Sequence, residues 1–125
     1  MDARPLIWIG SSRKDLKGFP LEVRKTFGFG LWQAQIGGKH LNAKILKGYK
    51  GAGVLEITED FKGSTFRAVY TVRFAGLVFV LHVFQKKSKI RIKTPKSEMD
   101  LIRKRLKTAE EYHAQWQEEQ KSDSR

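Results

Sequence analysis

Arg67, His82, Lys86 and Lys47 are the residues of this 125-residue chain whose types fit one piece of chemistry. Lys44, Lys47 and Lys50 precede a series of strand-like segments, Arg67 and Arg73 lie within one of them, and Lys86, Lys87, Lys89, Arg91 and Lys93 follow the last. Cations brought from separate segments to one place suit a phosphodiester. Cleaving RNA without a metal requires deprotonation of its 2′-hydroxyl, stabilisation of the charge on the pentavalent phosphorane and protonation of the departing 5′-oxygen. Arg, Lys and His side chains can serve these needs. Arg67 stands out because it sits between Phe66 and Ala68, where a purely solvent-facing charge is a weaker explanation. His82 fits a proton-transfer role or a half-buried place in a sheet equally well. The other basic residues read as a diffuse patch that holds a polyanion.

Other chemistries find less support. With no cysteine, disulfide frameworks, thiol nucleophiles and cysteine-ligated metals are excluded, and a reducing cytoplasm is the expected compartment. His40, His82 and His113 are too isolated to form a ligand pair, so no metal or other cofactor is expected. The glycines at 28, 30, 48, 51 and 53 match neither a P-loop nor a dinucleotide fingerprint, and no serine lies in a nucleophile elbow. The longest apolar run, Phe74 to Leu81, falls far short of a membrane span. Charge points the other way: 25 Lys and Arg stand against 13 Asp and Glu, for a net +12. Residues 108–125 are acidic, with five acids against two bases, so residues 1–107 carry +15. A body this basic concentrates polyanions and makes their binding salt-sensitive, which favours nucleic acid or a nucleoprotein.

The elements that must position these side chains fit one domain, for which 40% hydrophobic residues supply the core. Residues 5–9 read as a short buried strand. Ser12 and Asp15 have capping-box spacing for a helical turn that Gly18 closes. Pro20 opens a second helix with Val23, Phe27, Leu31 and Ala34 on one face, widened by Phe29, Trp32 and Ile36. Gly28 and Gly30 within it imply close approach of a neighbour. Residues 39–53 read as a glycine- and lysine-rich connection. Runs at 54–60, 65–74 and 77–84, joined by Lys62-Gly63 and Ala75-Gly76 turns, predict a three-stranded antiparallel meander. A two-residue turn at Ala75-Gly76 sets Arg73 opposite Val78, Val69 opposite His82 and Arg67 opposite Phe84. Arg67, Arg73 and His82 then share a face turned away from the helices, and Arg67 is removable without loss of fold. Phe66, Ala68, Tyr70, Phe79 and Leu81 form the face that packs on helices. Thr94 and Pro95 start a last helix with Met99, Ile102, Leu106, Ala109 and Trp116 inward, and its polar end, residues 113–125, is expected to project or fray beyond a domain of residues 1–112.

The order strand, two helices, meander, helix, with LKG at 46–48, LEI at 55–57, FRAVYTVRF at 66–74, VLHVFQKKSK at 80–89 and TPKSEMDLIRKRL at 94–106, resembles the phage-derived HigB-like branch of the RelE/ParE toxin superfamily. The resemblance covers residues 5–112. It implies an α+β, microbial RNase-type fold and the toxin of a type II toxin–antitoxin pair, cutting mRNA on the ribosome without metal. The implied partners are the ribosome, mRNA and a neutralising antitoxin, often of helix-turn-helix type, with no membrane. The antitoxin is expected to carry an acidic or amphipathic segment that covers the basic face or the last helix. By the same resemblance Arg67 matches a phosphate-contacting arginine, Lys47 lies in a loop that supplies basic residues, and Lys86 and Lys87 match a lysine pair ending the last strand. Where several relatives carry a Tyr or His pair near the chain end, this chain offers only Phe84, Gln85 and lysines after His82, and no general acid is identified. Two further functions share the fold class: a ParE-like inhibitor of DNA gyrase without nuclease activity, and a nucleic-acid-binding accessory protein.

Overall fold

The computed structural model describes residues 2–49, 51, 53–86 and 94–123. It is an α+β fold in which one five-stranded sheet is covered on both faces by three helices. In chain order the elements are β1 (Leu6–Trp8), α1 (Ser12–Lys17), α2 (Leu21–Gln35), β2 (Ala43–Ile45), β3 (Val54–Phe61), β4 (Ser64–Thr71), β5 (Val78–Lys86) and α3 (Lys96–Asp123). The sheet order is β1-β5-β4-β3-β2, with β1 parallel to β5 and every other pair antiparallel. None of the described helices is long and apolar enough to cross a membrane.

The expected meander is present, and its first turn explains its register. Lys62 and Gly63 have φ of 47° and 83°, the left-handed pair that a type I′ hairpin requires and that glycine adopts without strain. Phe61 therefore faces Ser64, Thr58 faces Arg67 and Glu56 faces Val69. β4 ends at Thr71, three residues before the expected Phe74, and residues 72–77 form a longer connection. Arg67 still faces Phe84 and Val69 still faces His82, because an irregularity between Val69 and Tyr70 restores the offset that the longer loop introduces. It also corrects the assignment of faces. Phe66, Ala68 and Tyr70 pack with α1 and α2 as expected, but Phe79 and Leu81 lie in the opposite cluster, with Ile102 and Ala109 of α3.

β2 is a departure from the reading of residues 39–53 as connection. It is an edge strand of three residues, of which only Ala43 is buried, too short for alternation to reveal. In α2, Val23, Phe27, Leu31 and Ala34 are buried as expected. Phe29, Trp32 and Ile36 do not widen that core face but are exposed. Gly30 fulfils the expectation of close approach, since a Cβ there would lie 2.5 Å from Ile57 Cδ1. Gly28 does not, as a Cβ there would meet nothing within 4 Å. The capping-box hydroxyl has another use: Ser12 is fully buried and its Oγ donates to the Val80 carbonyl, so it pins α1 to β5.

α3 begins one residue later than expected, with Pro95 accepting from the Met99 N–H, and runs unbroken through position 112. Past that point His113 Nε2 donates to the Ala75 carbonyl at 2.8 Å, and Trp116 closes over Gly76, where a Cβ would lie 2.7 Å from the indole ring. The first turns of the polar segment are thus anchored to the β4–β5 loop.

Candidate functional site

A groove of about 1020 Å³ opens on the α3 side of the sheet, floored by β3 and β4 and flanked by β2 and the start of α3. The register builds its floor. Lys44 pairs with Glu56, and Thr58 pairs with Arg67, so alternation sends all four side chains to the same face. All four line the groove, as do Lys47, Thr94 and Met99. Arg67 Nη1 donates to Glu56 Oε1 at 2.5 Å, and the Thr94 hydroxyl donates to Glu56 Oε2 at 3.2 Å. The guanidinium and carboxylate are largely withdrawn from solvent, with side chains 10% and 13% exposed. Lys44 and Lys47 are exposed at the rim.

This geometry changes the account of Arg67. Its face is turned away from α1 and α2, but α3 packs over the same side, and Arg67 is 8% exposed. A buried cation bonded to a largely buried carboxylate is a structural element as well as a chemical one, so the premise that Arg67 stands clear of the helices is corrected, and its removal is expected to cost stability. Glu56 is the residue that sequence reasoning passed over. The Lys62-Gly63 turn carried the signal, because a two-residue loop there places Thr58 opposite Arg67 and Glu56 one pair further along the same face.

The structure brings together only part of the expected set. His82 shares the face of Arg67 but does not line the groove; it is 6% exposed and engaged by α3. Arg105 Nη1 donates to His82 Nδ1 at 3.2 Å, and a guanidinium can only donate, so Nδ1 accepts and Nε2 carries the hydrogen offered to Glu98. Its ring also stacks on Phe84 at 4.9 Å. Both nitrogens are therefore committed to holding α3 on the sheet. Lys86 closes β5 opposite Thr65 and is buried at 7% exposure, on the face of Arg67 but outside the groove lining. Arg73 is corrected most: it lies in the loop beyond Thr71, at the other end of β4 from Arg67, exposed and over the Phe74 ring at 5.6 Å. Lys50, Lys87, Lys89, Arg91 and Lys93 lie outside the described residues. Among the described residues no group of three His, Asp or Glu side chains could hold a metal ion.

A floor of paired guanidinium and carboxylate, with Lys44 and Lys47 as well as Glu59 and Asp60 around it, sets cations that can hold an anion beside carboxylates that can accept a proton. Comparison with known proteins supplies the family. The model described as "Phage derived protein Gp49-like (DUF891)" matches residues 14–107, and the chain belongs to that phage-derived family. A solved structure of the Escherichia coli toxin RelE, a mutant in the free state, is similar at 21% identity, covering 66% of this chain and 82% of that one with a TM-score of 0.48. No curated protein matches the chain.

Proposed function

We propose that this chain is the toxin of a type II toxin–antitoxin pair and that it acts in the cytoplasm as a ribosome-dependent, metal-independent mRNA endoribonuclease. The Arg67–Glu56 pair on the groove floor is the observation that carries the reading. A phosphodiester drawn in by Lys44 and Lys47 meets both groups needed at its reacting atoms. Glu56 accepts the proton of the 2′-hydroxyl as the 2′-oxygen attacks phosphorus, Arg67 stabilises the phosphorane, and the bond to the 5′-oxygen breaks. Lys47 supplies the proton that the 5′-oxygen takes. The products are a 2′,3′-cyclic phosphate and a 5′-hydroxyl, so atoms and charge balance without a further reactant.

The groove is open, and the ribosome serves to hold the scissile nucleotide in line, a positioning term worth several orders of magnitude in rate. Transcript ends mapped after brief induction test the proposal. New 5′-hydroxyl ends that depend on Glu56 and on translating ribosomes are expected. Intact transcripts together with gyrase inhibition would overturn it in favour of a ParE-like activity.

A further inference from the structure

The outward side of α2 carries a second apolar stripe that the core does not use. At about 100° per residue, Gly28, Leu21, Trp32, Ile36 and Phe29 fall within roughly 100° of the helix circumference, well apart from the arc of Val23, Phe27, Gly30, Leu31 and Ala34. Leu21 and Phe29 are each 54% exposed, Trp32 is 49% exposed and the C-cap Ile36 38%. Phe29 and Trp32 lie nearly parallel, 6.2 Å apart, so the stripe presents one continuous aromatic surface. Gly28 adds an independent sign. A glycine in mid-helix is unfavourable, Gly30 is justified by Ile57, and a Cβ at Gly28 would meet nothing within 4 Å. Its bare backbone beside Trp32 fits the close approach of an outside helix.

Charge selects the occupant. Lys25 stands in the middle of the stripe, Arg24 and Lys39 are exposed nearby, and Glu22 is the acid of α2. A second copy would set +12 against +12 and Lys25 near its own counterpart, whereas an acidic chain is attracted to this surface. We propose that the outward face of α2 docks an amphipathic helix of an acidic partner protein, with a carboxylate of that helix meeting Lys25. The stripe and the groove lie on opposite faces of the sheet, so the bound partner leaves Arg67 and Glu56 open. This inference does not depend on what the groove does, and it places the partner on the face opposite to the basic one.

The test replaces Trp32 with the photo-crosslinker p-benzoylphenylalanine in the full chain, produced at native level in the bacterium that carries the gene, with the same replacement at the exposed Glu111 of α3 as control. The Trp32 position is expected to capture one acidic protein through the apolar face of an amphipathic helix, and the Glu111 position is not. Adding Gly28→Leu or Lys25→Glu should lower the yield at least tenfold. Purified Gly28→Leu protein should melt no lower than wild type, because leucine favours the helix, the position is exposed and a Cβ there meets nothing within 4 Å. Capture of a second copy, of RNA or of unrelated proteins, no capture at all, or undiminished yield with a folded Gly28→Leu chain would each overturn the proposal.

Discussion

Removing Arg67 strands a carboxylate, and the size of that effect follows from the geometry. Glu56 is 13% exposed at its side chain and is held by Arg67 Nη1 on one oxygen and by Thr94 on the other. In Arg67→Ala, among the described residues, the Thr94 hydroxyl is the partner that remains. Breaking a buried pair by deleting one member costs about 3–5 kcal/mol, and the groove lets water reach Glu56, so the lower end, about 3 kcal/mol, is expected. For a chain of this length a loss of 1 kcal/mol lowers the melting temperature by about 4 °C, so Arg67→Ala should melt about 12 °C below wild type. Lost toxicity in that variant alone would therefore say nothing about chemistry. The double variant Arg67→Ala/Glu56→Gln removes the stranded charge and should regain at least about half of the stability while cleavage stays absent. Urea unfolding of the wild type, both single variants and the double variant closes a mutant cycle, with an expected coupling of about 2 kcal/mol. Arg67→Lys keeps the charge but not the planar fork, and should cleave on the order of 10²-fold more slowly at near-normal stability. If Arg67→Ala melts with wild type and the cycle is additive, the pair does not hold the groove floor together and the reasoning fails.

Glu56→Gln should stay folded and lose on the order of 10² to 10⁴ in cleavage rate, measured by primer extension on programmed ribosomes; full activity would remove Glu56 as the base. Lys44→Ala and Lys47→Ala, both at exposed positions, should leave the melt unchanged and flatten the salt dependence of RNA binding by about 0.7 to 0.9 of slope per lost phosphate contact, and Lys47→Ala should also slow cleavage through loss of the proton donor; an unchanged slope would take them out of the interface. His82→Ala should destabilise by about 2 kcal/mol through loss of the Glu98 and Arg105 contacts, with cleavage per folded molecule retained; a rate loss at full folding would return His82 to the chemistry. Tyr70 is 1% exposed, and burial pushes its phenol up to about 12 from the usual 10. Between those values the folded chain keeps a proton that the unfolded chain has lost, so its contribution is intact below pH 10 and falls by up to about 3 kcal/mol as pH rises toward 12. Urea melts from pH 9 to 11.5 should show this fall in the wild type but not in Tyr70→Phe, and parallel curves would refute it.

The legible parts of this fold were those with a period or a turn chemistry behind them. The four core residues of α2 recur at helical spacing, and the inward residues of α3 recur over five turns, so both helices follow from sequence alone. The Lys62-Gly63 and Ala75-Gly76 pairs announce turns, but only the first is a two-residue loop, and the register of β4 against β5 survives through an irregularity that no pattern announces. A bulge shifts side chains between faces without changing composition, which is why Phe79 and Leu81 moved to the α3 side. The site was legible in proportion to its dependence on local register. Arg67 needs only alternation, whereas Lys44 stands on an edge strand too short to show any, and Arg73 and His82 depended on where a strand ends and which way a distant helix crosses it. Glu56 shows the reverse error. A search for cations passes over the acid that a buried cation must have beside it, yet burial makes that acid close to obligatory, since an arginine at 8% exposure without a counter-charge would be prohibitive. The same logic applies at α2. An apolar residue on a helix is assigned to the core by default, and the sequence places Phe29 and Trp32 there, whereas the arc of Val23, Phe27 and Leu31 fills the interior without them. Surplus apolar surface opposite a complete core is evidence of a partner, in the way that a buried cation is evidence of an acid.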